Sequence, residues 1–273
     1  MREDDELIVV DSASIDAALV ARAAHAAGAR LERVERPGVN RARNRGWQVA
    51  THGLIAYVDD DVVVDRGWAG AIASAAAAHP DAAFITGRLA PLNESRHGGV
   101  AVKDDPEAAT LDRATRGDLG HGANLLVRKS ALAAVGGWDE SMGAGARFTS
   151  SPEADLYDRL FLAGFRGRYE PAALAWHEQW RSPRQLIQLD WRYGFGNGAR
   201  LAKLVRRDRP RARQIAGEAL WSWGLARLGA PLRDRNKTEV ARVAARLAGT
   251  GVGFGRALFS KVRNGHFVDR KET

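Results

Sequence analysis

Short apolar runs alternate with alanine-rich stretches through the first half of the chain, and this alternation restricts it to a small set of folds. Leu7-Ile8-Val9-Val10 reads as a strand ending at Asp11, and residues 15–27, closed by Gly28, read as a helix with a glycine stop. Strands follow at 31–34, 54–58 and 83–89, with helices at 42–51 and 67–78, the second ended by His79-Pro80. Parallel neighbours need a crossover of about a dozen residues or more, usually a helix, so this order predicts an α/β domain. Its central sheet is expected to be mostly parallel, with helices on both faces. Residues 91–120, charged and glycine-rich, read as a long excursion over the sheet; 124–127 and 172–176 are further strands, 129–135 and 153–163 helices, and 143–151 a mobile loop. From Pro183 the strand signals fade, and arginine-rich helical segments are expected at 183–206, 209–229 and 237–262. The predicted organisation is a sheet domain over 1–180 followed by a basic helical extension over 181–273.

A chain of 273 residues can bury the core of such a domain. The absence of cysteine removes disulfides, thiolate metal sites and cysteine nucleophiles from consideration. No apolar run approaches a membrane span, and the acidic start Met1-Arg2-Glu3-Asp4-Asp5-Glu6 is unlike a signal peptide, so a cytoplasmic location is expected. The net charge of +8 is unevenly divided: residues 181–273 hold 21 Lys and Arg against 7 Asp and Glu, and residues 1–180 hold 20 against 26. Such a basic third suits anionic lipid, nucleic acid or a phosphorylated substrate, and also suits plain solvated helical faces. Nothing matches a helix-turn-helix, zinc finger or RNA-binding signature, so no specific nucleic-acid partner is expected.

Several residue groups carry chemistry. Asp59, Asp60 and Asp61 follow the strand Leu54-Ile55-Ala56-Tyr57-Val58, and strand carboxyl ends are where α/β sheets place ligands. Adjacent carboxylates in apolar surroundings invite a hard cation such as Mg²⁺ or Mn²⁺; a solvated acidic turn is the ordinary alternative. Arg41, Arg43 and Arg45, entering a helix with Asn44, suit a diphosphate. Glu153 and Asp155 open a helix, where the macrodipole favours carboxylates whether or not they act chemically. His177 follows a strand and is either a ligand or a structural hydrogen-bonding group, and Trp138 offers either an aromatic face to a sugar or a core side chain. Trp191-Arg192-Tyr193-Gly194-Phe195-Gly196-Asn197-Gly198 interleaves aromatics with glycines on a helix, which suits a membrane surface or packing against the sheet domain.

In order, Val9-Val10-Asp11, Ala42-Arg43-Asn44-Arg45-Gly46, Asp59-Asp60-Asp61, Gly136-Gly137-Trp138-Asp139-Glu140, Glu153-Ala154-Asp155-Leu156, Tyr169-Glu170-Pro171-Ala172 and His177 resemble the family 2 glycosyltransferases of GT-A fold, a nucleotide-diphospho-sugar transferase-like architecture. The resemblance covers roughly residues 6–200. It implies an inverting, metal-dependent transfer of a sugar from a nucleotide-diphosphate sugar to a hydroxyl acceptor, glycan or lipid-linked, in cell-surface polysaccharide or glycolipid synthesis. It further implies that Asp11 holds the base, that Arg43, Asn44, Asp59 and Asp60 bind the nucleotide sugar, and that Asp59, Asp61 and His177 hold Mn²⁺ or Mg²⁺. Glu153 is then the catalytic base, and Gly137, Trp138 and Asp139 lie beside the acceptor. With a basic extension, peripheral association at the inner face of the membrane is expected. Two departures stand out: Pro152 occupies the place of the family's first acid before the base, and the chain starts at the family's second strand. The alternatives are a catalytically impaired, truncated transferase and a non-catalytic basic docking protein.

Overall fold

A computed structural model describes residues 4–92, 102–178, 181–222 and 224–268, so residues 93–101 of the expected excursion lie outside the described residues. β1 (Ile8–Ser12) and β2 (Arg30–Val34) pair in parallel across α1 (Ala17–Ala26), whose first turn is capped by Asp16 accepting from the Leu19 N–H at 2.9 Å. α2 (Val39–Val49) leads to β3 (Leu54–Val58), and the acidic triplet links β3 directly to β4 (Val62–Val64). Then come α3 (Trp68–Ala78), β5 (Ala82–Pro91), β6 (Ala109–Leu111), β7 (Asn124–Arg128), α4 (Lys129–Ala134), α5 (Pro152–Leu162) and β8 (Arg166–His177).

The larger sheet is ordered β3-β7-β5-β8-β4, with β6 added alongside β8. The expected α/β architecture is present and its sheet is mixed. β5 and β8 are parallel, whereas β7 runs antiparallel between β3 and β5, and β4 and β6 run antiparallel to β8. The strand–helix rhythm stops at β5; the described part of the excursion holds no helix, so nothing there imposes a parallel crossover. β3 lies at one end of the strand order, with Leu54 and Val58 exposed.

Period-two alternation divides the sheet between two cores. Phe84, Leu125 and Val127 face a cluster with Leu156, Tyr157, Leu160 and Trp138, in which the Phe84 and Tyr157 rings stack at 4.5 Å. Ile85 and Leu126 face the opposite side, against Ile72, Ala75 and Ala76 of α3. Between the pairs Gly87–Glu170 and Arg88–Leu174 the register jumps, leaving residues 171–173 out of the ladder. The fully buried Asn124 fills this bulge, donating to the Arg88 and Ala173 carbonyls at 2.8 Å and accepting from the Trp68 indole at 2.8 Å. Beyond the bulge β8 continues to His177, which pairs with Val62 just past the acidic triplet.

The predicted helical segments form α6 (Pro183–Arg207), α7 (Arg209–Trp221), α8 (Gly229–Arg233) and α9 (Lys237–Leu258), followed by a hairpin of β9 (Val262–Arg263) and β10 (His266–Phe267). The second segment, expected to run to 229, stops as an α-helix at Trp221. α6 and α9 approach through glycine: a Cβ on Gly194 or Gly198 would overlap the α9 backbone, and one on Gly249 or Gly253 the α6 backbone. Buried ion pairs join α6 to the sheet domain, Lys203 reaching both Asp139 and Asp155 at 2.6 Å and Arg200 gripping Asp158 with two hydrogen bonds. Residues 143–151, expected as a mobile loop, are pinned instead. Phe148 is fully buried with Met142, Ala199, Ala202 and Phe267, and its N–H and carbonyl pair with Ser141 and Gly143 at 2.8 Å.

Candidate active site

A cavity of about 1020 Å³ opens where the carboxyl ends of β3 and β8 meet the start of α5 and the faces of α6, α7 and α9. Arg43, Asp59, Asp61, His177 and Glu153 all line it. The structure therefore gathers residues more than a hundred positions apart in sequence around one space.

Asp61 and His177 meet because β4 pairs with the end of β8; Asp61 Oδ1 lies 3.2 Å from His177 Nε2, and the Asp61 carbonyl accepts from the Glu178 N–H at 3.1 Å. His177 Nδ1 is buried and has no hydrogen-bond partner among the described residues. An oxygen and a nitrogen donor set side by side fit a Mn²⁺- or Mg²⁺-like ion. No cluster of three or more ligating side chains forms among the described residues. Asp59 is engaged differently, accepting from Arg43 Nη2 at 3.0 Å.

Arg43 is nearly buried, with its guanidinium 4.7 Å from the centre of the Trp138 ring and its Nη1 unpartnered among the described residues. Burial works against its charge, yet Asp59 and Glu153 outweigh that effect and raise its pKa. Only glycine permits this packing: a Cβ on Gly122 would stand 2.7 Å from Arg43 Nη2. A buried cation with one spare donor, set over an aromatic face and facing a cavity, is a phosphate-binding arrangement.

Glu153 lies in the first turn of α5, partly exposed, behind Ser151 in the left-handed region at φ 60° and Pro152 at the helix start. Its charge acts on Arg43, His121 and Arg200, which line the same cavity. Asp155, the other acid of that turn, faces inward and is held by Lys203 and by Arg159 at 3.0 Å. Burial opposes its ionisation, but these two cations dominate and lower its pKa. It is a structural carboxylate beneath the site.

His121 and Asp118 also line the cavity, and sequence reading passed over both. Burial disfavours the charged imidazole, but Asp118 at 2.9 Å and Glu153 outweigh it and push His121 up to about 9. Their signal in the sequence is Gly117-Asp118-Leu119-Gly120-His121-Gly122, where glycines crowd two titratable side chains.

The remaining expected site residues stand elsewhere. Asp11 is buried against Arg33 and accepts from the Ser14 N–H at 2.8 Å; it does not line the cavity, and the Ser14 and Arg33 contacts lower its pKa. Asp60 is exposed on the β3–β4 link, outside the cavity lining. Asn44 is buried, its amide donating to the Trp138 carbonyl at 3.0 Å and accepting from the Trp138 N–H at 2.9 Å, so it holds the Gly137-Trp138 turn. Gly137, Trp138 and Asp139, expected beside the acceptor, do not line the cavity either. Trp138 is 1 % exposed, with its indole donating to the Tyr57 hydroxyl at 3.1 Å, and Asp139 is neutralised by Lys203 and accepts from the Phe267 N–H at 2.9 Å. A tryptophan ring fully packed against Tyr57 and Arg43 has no face left for a sugar.

Comparison with known proteins bears on the family and the fold. The family model described as Glycosyl transferase family 2 matches residues 1–136. The chain is 32 % identical over 199 residues to a pre-mycofactocin glycosyltransferase of Mycobacterium tuberculosis, covering 70 % of this chain and 40 % of that protein. It thus spans about two fifths of the length of the curated relatives it matches. Among solved structures, the mannosyltransferase PcManGT from Pyrobaculum calidifontis, in complex with GDP-Man and Mn²⁺, aligns with a TM-score of 0.56 at 20 % identity, over 90 % of this chain and 66 % of that one. S. aureus TarS residues 1–349, in complex with UDP, aligns with a TM-score of 0.55 at 14 % identity, over 92 % and 81 %. These two share the fold.

Proposed function

The chain belongs to glycosyl transferase family 2, and from that premise we propose that it moves a sugar from a nucleoside-diphosphate donor to an acceptor hydroxyl, with inversion at the anomeric carbon. The observation that carries this reading is the single cavity in which Arg43, Asp59, Asp61, His177 and Glu153 converge. Arg43, with its spare Nη1, offers a fixed positive charge to the diphosphate as the anomeric C–O bond breaks and negative charge moves onto the departing nucleoside diphosphate. Glu153 accepts the proton of the attacking hydroxyl, so the new C–O bond forms as the leaving oxygen departs from the opposite face. Asp61 and His177 would hold a divalent cation, which supplies Lewis-acid stabilisation of the leaving diphosphate.

The acceptor is a hydroxyl compound of glycan or lipid-linked type, and the protein works at an anionic membrane surface. Support for the surface comes from Leu220, Trp221, Leu225 and Leu232, all exposed between the end of α7 and α9, beside the exposed Arg227, Arg233 and Arg235. No helix among the described residues is long and apolar enough to cross a membrane. The deciding experiment incubates the protein with UDP- and GDP-sugars and Mn²⁺ and follows release of nucleoside diphosphate, which an active transferase produces by transfer or slow hydrolysis. Absence of release with every donor, from protein that binds nucleotide, would overturn the catalytic reading.

A further inference from the structure

The part of the cavity lining that comes from the helical region is rich in arginine. Residues 181–246 contribute seven arginines to its lining and two carboxylates, Asp190 and Glu218. Those carboxylates and the ones beneath them are already in use. Asp190 accepts from Arg242 at 2.7 Å and from Arg246 at 3.3 Å, and Asp158 is gripped by Arg200.

Arg211 is the clearest sign of uncompensated charge. It sits in the first turn of α7, capped by Asp208, and Asp208 is itself held by Nε and Nη2 on one edge of the Arg113 guanidinium. Its Nη1 donates to the Thr115 carbonyl at 2.7 Å. Its Nε, buried and 3.8 Å from Asp158, has no hydrogen-bond partner among the described residues. Arg211 is 5 % exposed. Burial lowers its pKa, Asp158 restores only part, and Arg200 pushes it further down; Arg246 is lowered in the same way by burial and by Arg227, against Asp190. Guanidiniums held where their charge is disfavoured gain most from an arriving anion.

We propose that this wall anchors the acceptor, which carries a phosphate or carboxylate seated by Arg211 and Arg246 and presents its hydroxyl to Glu153. The proposal rests on the transferase reading and names its acceptor class. Three observations place the anion with the acceptor rather than with the donor. Arg43 and the Asp61–His177 pair, all from the sheet domain, already answer a diphosphate. Glu153 exerts its charge on both Arg43 and Arg200, so a molecule lying along the arginines passes the base. A volume of about 1020 Å³ is at the upper end for a single ligand and leaves room for a second.

The probe is glucose 6-phosphate, with glucose as its uncharged counterpart, titrated calorimetrically into the full chain with and without saturating UDP or GDP and Mg²⁺. Glucose 6-phosphate is expected to bind at least tenfold more tightly than glucose and to keep its affinity when the nucleotide site is filled. Arg211→Gln and Arg246→Gln should each weaken it tenfold or more, and Arg227→Gln, at an exposed position, reports on the wall should a buried variant fail to fold. Equal affinity for the two sugars, or unchanged affinity in every folded variant, overturns the proposal. Displacement of glucose 6-phosphate by the nucleotide also overturns it and assigns these arginines to the donor. The transferase reading fails separately, through loss of donor turnover with anion binding retained.

Discussion

Glu153 and Asp155 share one helical turn and the same charge, and their surroundings separate their roles. Glu153 opens onto the cavity and forms no salt bridge among the described residues, whereas Asp155 is neutralised from below by Lys203 and Arg159. Glu153→Gln should therefore cut transfer by about a hundredfold or more, as expected for loss of a general base, with nucleotide affinity nearly unchanged in calorimetry. Transfer at close to the parent rate would reduce Glu153 to a helix-start residue. Asp61→Asn removes one of the two adjacent donor atoms, so nucleotide binding should lose its dependence on Mn²⁺ while metal-free binding persists; an unaltered Mn²⁺ dependence would remove Asp61 from the cation site. His121 gives a third test. Its pKa is raised from an ordinary value near 6.5 to about 9, so its stabilising contribution is complete below pH 6.5, declines as pH rises and is gone above about 9. Unfolding free energy should fall by an amount on the order of 1–3 kcal/mol across that window, and His121→Gln should flatten the profile. At this scale the sequence named Arg43, Asp59, Asp61, Glu153 and His177, which the structure brings to one cavity, but Trp138 shows its limit: the motif marks a tryptophan, and only the packing of Tyr57 and Arg43 decides that its ring faces the core.

Among the elements, α6 and α9 carry the sharpest prediction, because glycine in a helix interior normally costs roughly 1 kcal/mol relative to alanine. Propensity alone predicts that replacing any of these glycines stabilises the protein. At Gly253 a Cβ would overlap the Phe195 carbonyl, whereas at Gly251 it would meet nothing within 4 Å. Thermal unfolding should show Gly251→Ala neutral or slightly stabilising and Gly253→Ala strongly destabilising; matching shifts in the two variants would show that the helices do not meet as described. The helices themselves were legible in the sequence through the fading of strand signals and their arginine-rich composition, and so was the fold class. The sheet order was not, since β7 enters antiparallel through long-range pairing that no local pattern records. The bulge filled by Asn124, which sets the path of β8 to His177, was equally invisible, because it depends on a side chain more than forty positions away.

For the molecule as a whole, the charge division between 1–180 and 181–273 reappears in the cavity lining, where Asp59, Asp61, Asp118 and Glu153 come from the first part and most of the arginines from the second. The exposed apolar segment around Leu220, Trp221, Leu225 and Leu232 lies within the basic part. Co-sedimentation with anionic vesicles should exceed that with neutral ones and fall as salt rises, since each basic side chain near the surface contributes roughly 1 kcal/mol that counterions screen. Leu225→Ser combined with Leu232→Ser should weaken it further, and sedimentation indifferent to lipid charge would remove the surface role. Point variants are the proper tools here, because cutting the chain at 180 would strip Asp139 of Lys203 and of the Phe267 N–H and leave a buried carboxylate bare. The same contacts set an order of events during synthesis. As the chain leaves the ribosome, the turn at Asp139 and the first turn of α5 emerge long before Lys203, and longer still before Phe267. The sheet domain, although made before them, is expected to remain loosely closed around the future site until Lys203 and Phe267 arrive to lock it.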